Sequence, residues 1–332
     1  MRIRAVLACA LAVLAAGLPG PIRAGAEVGP DESDESPAGL GSWARLRLEG
    51  RKLLIAKGIS EIFRWPADEA SSDELVVVES SARVLGARAG RHLAAALTAA
   101  LTDGAGVETK HWFEVSPGKR VRRGVMVGHE RYEVSRYPLE DDEDRPAHWV
   151  ADQSASWMLA AERPRTRLGL YALLGRLGEL TASPRGELHV LTKNGPGILR
   201  FETRDRRREL WRLTDLDQER RREVTLDVVE VHLLPADDGE TLLRMEGETK
   251  LWIDADSSAL LRIAGRRDGI GGKVQLELTG VGYELDPRPQ LAWPPAPSAA
   301  DDASHSHDAA ARPASDRSTH AGERLDVGGE AP

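Results

Sequence analysis

The sequence predicts a mainly β protein built on an antiparallel sheet, with one short helical stretch between two strand-rich halves. Three observations lead there. The first is the segment Glu240 to Tyr283, which reads as three consecutive strands with their turns supplied. From Leu243 to Ile253, Leu243, Met245, Gly247, Thr249, Leu251 and Ile253 alternate with Arg244, Glu246, Glu248, Lys250 and Trp252, so one face is largely apolar and the other mostly charged. Asp254-Ala255-Asp256-Ser257-Ser258 favours a tight turn, Ala259 to Ile263 resumes a strand, and after Gly269 to Gly272 the residues Val274, Leu276 and Leu278 alternate with polar neighbours. The second observation is that similar strand-length segments, bounded by turn residues, run from Trp43 to Leu234. The third is that helical spacing is confined to the middle of the chain, where Leu170, Leu173, Leu174 and Leu177 follow the i, i+3, i+4, i+7 rule.

In chain order, the N-terminus comes first. Arg2 and Arg4 precede an apolar run from Ala5 to Leu18, Gly20-Pro21 breaks it, and Ala24-Gly25-Ala26 offers small residues for cleavage. Residues 1–26 are therefore expected to be a secretory signal peptide, which places the mature chain outside the cytoplasm, in a bacterial periplasm. The run is shorter than the roughly 20 residues needed to span a bilayer, so no transmembrane segment is expected after cleavage. Cys9 lies within this leader, and Val6-Leu7-Ala8-Cys9 matches a lipoprotein box superficially, but too little apolar sequence precedes it. The mature chain then has no thiol and no disulfide. Residues 27–41 are acidic, nearly without aromatic or β-branched residues, and are expected to be a disordered spacer.

A single domain is expected over residues 42–285. Its strands begin at Trp43 to Glu49 and continue through Arg51 to Trp65, where Gly58 suggests a bulge or bend, and through Leu75 to Leu85. The segment His92 to Leu101 fits either an alanine-rich helix or a long strand. His111 to Val115 and Arg120 to Val127 are strands joined by a turn at Ser116-Pro117-Gly118-Lys119, and Arg131 to Tyr137 is another. The acidic run Glu140 to Asp144 is expected to be a solvated loop. A helical insertion is expected at about residues 152–180, comprising Gln153 to Glu162 and Arg167 to Leu180, and covering a sheet face. Strands then return at Leu188 to Thr192, Ile198 to Thr203, Glu209 to Leu213 and Val224 to Leu234. In the last of these the apolar phase switches between Val228 and Val229, which implies a bulge or burial of both faces. From Asp286 to the C-terminus the chain is Pro-, Ala-, Ser- and Asp-rich and is expected to be a disordered tail.

Composition and motifs exclude several functions. The 332 residues are 41% hydrophobic and 30% charged, enough for a sizeable core, and loss of Arg2, Arg4 and Arg23 takes the formal charge from -8 to about -11. That balance suits no nucleic-acid partner, because acids flank even the arginine triplets at 206–208 and 220–222. The chain has no Gly-x-Ser-x-Gly elbow, no His-Glu-x-x-His helix and no phosphate-binding glycine loop. His111, His129, His148, His189 and His232 remain as side chains that could meet acids in space. Asp254-x-Asp256-x-Ser258 mimics the start of a calcium loop but has Ala259 where glycine is needed, so the turn reading is preferred. His305, His307 and His320 could bind a metal weakly, although a low-complexity tail explains them more simply, and no metal or other cofactor is expected. The chain is expected not to be an enzyme.

The run Leu251-Trp252-Ile253-Asp254-Ala255-Asp256, Leu260-Leu261-Arg262-Ile263, Asp268 to Gly271 and Val274 to Leu278 resembles a strand-turn-strand of exported half-barrel proteins, a group that includes the Lol-type lipoprotein carriers and, closer in pattern, uncharacterised exported proteins. The hairpin at Pro117 to Arg120 is similar too. Where the carriers have proline after leucine in the strand after the turn, this chain has Leu261, so the resemblance implies the fold more than the carrier activity. It implies a strongly curved antiparallel sheet, a half-open barrel with a concave apolar face under a short central helical cover. The expected role is binding of an apolar or lipid-like ligand or a lipoprotein in that face, with Trp252, Leu251, Ile253, Leu173 and Leu177 as candidate ligand-binding residues. The alternatives are a scaffold within an envelope protein complex and, less favoured, a hydrolase acting on an envelope glycan or ester. Eight tryptophans against three phenylalanines suit a groove with a polar rim, but ordinary core packing explains them as well.

Overall fold

The computed structural model describes residues 39–291 apart from 53–55, 70, 103, 105, 117–118, 141–148, 160–165, 236–240, 268–269 and 290. The leader, most of the acidic spacer, the acidic run after Glu140 and the histidines of the tail lie outside the described residues. At the borders, Leu40 is buried in the core, and Arg288 donates to the Ser71 hydroxyl and the Asp73 carbonyl while Leu291 packs on the outer surface.

The chain is mainly β, in a single 15-stranded sheet. Its first half holds β1 (Arg45–Lys52), β2 (Ala56–Trp65), β3 (Asp73–Val84), β4 (Ala87–Ala100), β5 (Val107–Ser116), β6 (Arg120–Val127), β7 (Arg131–Pro138) and β8 (Gln153–Met158). The short β9 (Thr166–Gly169) leads into two single helical turns, α1 (Leu170–Leu173) and α2 (Gly178–Thr181). The second half is an antiparallel meander of β10 (Arg185–Thr192), β11 (Gly195–Asp215), β12 (Arg220–Pro235), β13 (Met245–Asp254), β14 (Leu260–Arg267) and β15 (Ile270–Gly282).

The expected half-open barrel is instead closed. β15 pairs with β1, β4 pairs with β5, and β9 bridges β10 and β5 in parallel, so twelve strands form a continuous ring. The closing strand has only four residues and pairs parallel on both sides, a connection that neither alternation nor turn chemistry reveals in sequence. Beyond the ring, β6, β7 and β8 continue from the upper part of β5 as a three-stranded flange, joined to it from His111↔Val125 to Ser116↔Arg120. β11 and β12 form a long hairpin whose tip bends back, so that Thr214 and Asp215 pair in parallel with Gly280 and Val281 of β15.

The expected helical cover also differs. Gln153 to Met158 is an edge strand with exposed side chains, and the helical part is reduced to α1 and α2. These turns lie within the barrel and touch β3, β4, β9 and β10 from one end and β11 and β12 from the other. Leu173, Leu174, Leu177 and Leu180 have no exposed surface. The segment is pinned by Arg176, whose guanidinium lies 3.0 Å from the buried Glu74 of β3. The apolar leucine spacing was thus a true signal of burial in a helical turn, but the turns fill the lumen and do not cap a face. Four fully buried leucines contribute roughly 1.5–3 kcal/mol each to that filling.

Other expectations resolve locally. The 92–101 segment is strand, because β4 hydrogen-bonds on both edges to β3 and β5. Pairing between β1 and β2 runs unbroken through Gly58, which marks no bulge. The segments at 198–203 and 209–213 belong to one strand, β11, and the register shift between Thr203 and Asp205, opposite Val231 and Glu230, accompanies the phase switch in β12. Val224, Leu226, Val228, Val229, Val231 and Leu233 are accordingly all buried.

Candidate functional site

Inward-facing residues of β1 to β7 change character along the barrel. Leu46, Ile62, Val78 and Ala94 are apolar and lie opposite one another, the next inward positions of β2, β3 and β4 are Ser60, Ser80 and His92, and Glu114 opposite Ala94 and Arg122 opposite Glu114 complete a polar row. The Ser60 and Ser80 hydroxyls are 2.8 Å apart. Glu114 is the centre of the row. Arg122 donates to its Oε1 at 2.8 Å, the Tyr171 hydroxyl from α1 donates to its Oε2, and His92 Nε2 lies 3.5 Å from the same oxygen. Burial alone would raise the Glu114 pKa, but the hydrogen bonds and charges of His92, Tyr171 and Arg122 more than reverse this and hold the carboxyl well below the usual carboxylate range.

Beside this cluster lies a cavity of about 100 Å³, lined by Trp112 and Glu114 of β5, Leu170 and Tyr171 of α1, Val190 to Asn194 and Pro196 to Leu199 of the β10–β11 hairpin, Pro235 and Thr241. That is room for roughly three waters or a few methylenes, at about 30 Å³ per water. Its body is mostly apolar, through Trp112, Leu170, Val190, Leu191, Ile198 and Leu199, with Glu114 and Thr241 also in the lining, and Thr192, Lys193 and Asn194 make it polar at the hairpin tip. The Trp112 indole Nε1–H donates to the Tyr132 hydroxyl at 2.8 Å, which donates in turn to the Thr192 carbonyl at 2.9 Å. Glycine is required where these groups meet: a Cβ on Gly124 would collide with the Trp112 ring and the Tyr132 hydroxyl, and Gly195, at φ +118°, would bring a Cβ to 2.8 Å from the Trp157 ring. The Gly169 N–H donates to the Thr109 hydroxyl at 2.8 Å, which fixes the start of α1 against β5 and aims Tyr171 at Glu114.

A larger hollow of about 630 Å³ lies on the outside of the barrel among Arg185, Glu187, Arg200, Glu202, Arg204, His232 and Glu248. Phe201, Leu234 and Gly186 also line it, and ion pairs surround them, Arg200–Glu187 at 3.0 Å, Arg204–Glu202 at 2.8 Å and His232–Glu248 at 2.8 Å.

None of the five candidate residues lines the cavity. Leu251, Ile253, Leu173 and Leu177 are fully buried in the packed core. Trp252 is on the opposite face of β13, where Arg262 lies between its ring and that of Trp211, at 5.1 Å and 5.4 Å from the two centroids. Of the histidines singled out, His129 pairs with Glu108 and His232 with Glu230 and Glu248, His111 is half-buried near Arg123, His189 sits on β10 opposite Ile198, and His148 is outside the described residues. The cluster that does form uses His92 and Glu114, neither of which stands in a motif. The Asp254 turn is an Asx turn, with the Ser257 N–H donating to Asp254 Oδ2 at 3.1 Å. Among the described residues, no three His, Cys, Asp or Glu side chains converge as metal ligands.

The outward face carries charge pairs such as Lys57–Glu49, Arg206–Asp227 and Arg212–Glu223 while the interior is mostly apolar, the reverse of a barrel that faces lipid. No helix among the described residues is long and apolar enough to cross a membrane.

The sequence matches no described protein family and no curated protein. Three solved structures are similar in part. One is a β-barrel-like protein of a domain of unknown function from Brucella abortus, with 7% identity, 73% of this chain and 98% of that chain covered, and a TM-score of 0.42. Another, assigned as an exported protein with a YmcC-like fold from Bacteroides fragilis, has 9% identity, 74% and 97% coverage and a TM-score of 0.27. The last, assigned as a lipoprotein from Parabacteroides distasonis, has 10% identity, 72% and 93% coverage and a TM-score of 0.22. At these scores they establish no family membership, and the barrel stands on this chain's own strand pairing.

Proposed function

We propose that the mature protein is a non-enzymatic binding protein of the cell envelope that takes the apolar end of a small amphiphile, such as a single acyl chain, into the cavity between Trp112, Leu170 and the β10–β11 hairpin. The observation that carries this reading is the combination of an apolar body with a polar rim at Thr192 to Asn194, in a barrel whose remaining interior is filled by its own leucines. The chain end would pack against Leu170, Leu191 and Leu199, at about 0.8 kcal/mol per buried methylene, and the head group would face Lys193 and Asn194. The space suits a few methylenes, so the ligand is held by its tip and not swallowed whole.

A binding role fits the polar cluster better than catalysis does. A general base works best with a pKa near the working pH, and Glu114 is held far below it by its donors. The cluster's role in this reading is to set the floor of the cavity and orient Tyr171.

Native mass spectrometry of the gently purified chain from Glu27 onward tests the proposal. A co-purified single-chain amphiphile, displaceable by dodecanoic acid, is the expected result. A bare protein that also fails to take up dodecanoic acid would overturn it.

A further inference from the structure

The geometry points to β6, β7 and β8 acting as a lid over this cavity, hinged on β5 and held shut by two latches; the inference rests on the cavity being the binding site. The flange belongs to the barrel along one edge only, where β6 pairs with β5. Its other edge, β8, has no further strand among the described residues, and its side chains are almost all exposed.

Near the Ser116–Arg120 turn the flange is anchored, because Val121 of β6 and Tyr137 of β7 pack on the outward side of Phe113 and Val115. At its far end β8 leads through residues 159–165 into β9, and the flange meets the opposite wall through contacts of Tyr132, Trp157 and His129. One latch is Tyr132, which accepts from Trp112 inside the barrel and donates to the Thr192 carbonyl at the tip of the β10–β11 hairpin, with the Trp157 ring stacked on it and seated over Gly195. The other is the β6–β7 turn, where His129 Nδ1 pairs with the buried Glu108 carboxylate and the His129 carbonyl accepts from Arg167 at 3.4 Å.

The second latch falls on the weakest line of the barrel. Among the described residues, Glu108 and Arg167 are also one of two residue pairs by which β5 and β9 close the ring, and their side chains lie 3.8 Å apart. Release of His129 and Tyr132 would free the far end of the flange from Thr192 and Gly195 and widen the way into the cavity beside its rim, while the hairpins β1 to β4 stay paired on both edges.

Hydrogen exchange measured by mass spectrometry on the ligand-free chain tests the lid. The expected result is that β8, the β6–β7 turn and the β10–β11 tip exchange as a group and faster than β1 to β3. His129→Ala should raise exchange in that group about fivefold and leave β1 to β3 unchanged. Tyr132→Phe should do the same, and since it also strands the Trp112 donor, His129→Ala on the surface is the decisive variant. Exchange in the flange as slow as in β1 to β3, or no response to His129→Ala, would overturn the lid even if dodecanoic acid binds. A responsive flange in a protein that binds no dodecanoic acid would leave the lid standing and remove the binding reading.

Discussion

Glu114 shows what sequence can and cannot reveal about a single residue. It sits in an unremarkable strand, and its partners come from β4, β6 and α1, so that Tyr171 is 57 positions away. Nothing about spacing links them, because the link is made by strand order and by the register shift between Leu97 and Thr98. The physical consequence is a pH dependence with two contributions. The His111 pKa is lowered to about 3 by burial and the Arg123 charge, so the unfolded chain takes up that proton first, and stability present above about pH 6.5 is lost as pH falls towards 3. Glu114, whose folded pKa is depressed, adds stability that is complete above its unfolded pKa of about 4.3 and is lost below it. Urea denaturation across pH 3 to 8 should therefore give a midpoint that declines from about pH 6.5 downward and steepens below about 4.5. Glu114→Gln should destabilise at neutral pH by about 3–5 kcal/mol, because it leaves Arg122 without its buried counter-charge, and should abolish the steeper acid limb. A midpoint flat between pH 4.5 and 7, or an unchanged acid limb in the variant, would contradict these assignments.

Among the elements, the meander of β13 to β15 was legible because each strand has one wet and one packed face. Leu251 and Ile253 point into the barrel, and on the opposite face of β13 Lys250 is partly exposed while Trp252 is buried beside Arg262. The aromatic on the charged face finds its explanation in the curl of the β11–β12 hairpin, which brings Trp211 over Arg262, a long-range contact that no local pattern encodes. β4 was ambiguous for a related reason. Its small Ala94 and Ala96 face the filled lumen, where α1 needs room, while Leu93 and Leu97 face a second apolar cluster on the outer side, so neither face reads as wet. The register of β13 has a direct check in chemical denaturation. Leu251→Ala should cost about 2–5 kcal/mol and Lys250→Ala no more than about 0.5. Equal losses from the two substitutions would show that the register is wrong.

For the whole molecule, the fold class was visible from alternation, whereas closure was not. Closure depends on β9, on the pairing of the first strand with the last, and on a helical segment that occupies the lumen that a half-open barrel would offer to a ligand. That change of architecture moves the candidate site. Leu173, Leu177, Leu251 and Ile253 lie in the packed interior, and the cavity lies beside α1 and the β10–β11 hairpin, whose tip the flange touches. Residues that stabilise the barrel, such as Leu177, are therefore distinct from residues that shape the cavity, such as Leu170. Ligand retention in native mass spectra of two variants tests this most directly. Leu177→Ala should lower stability by about 2–5 kcal/mol and still retain the amphiphile, whereas Leu170→Trp, which fills the cavity, should abolish retention in a folded protein. Loss of the ligand from Leu177→Ala together with normal retention by Leu170→Trp would place the binding site in the barrel interior and contradict the account.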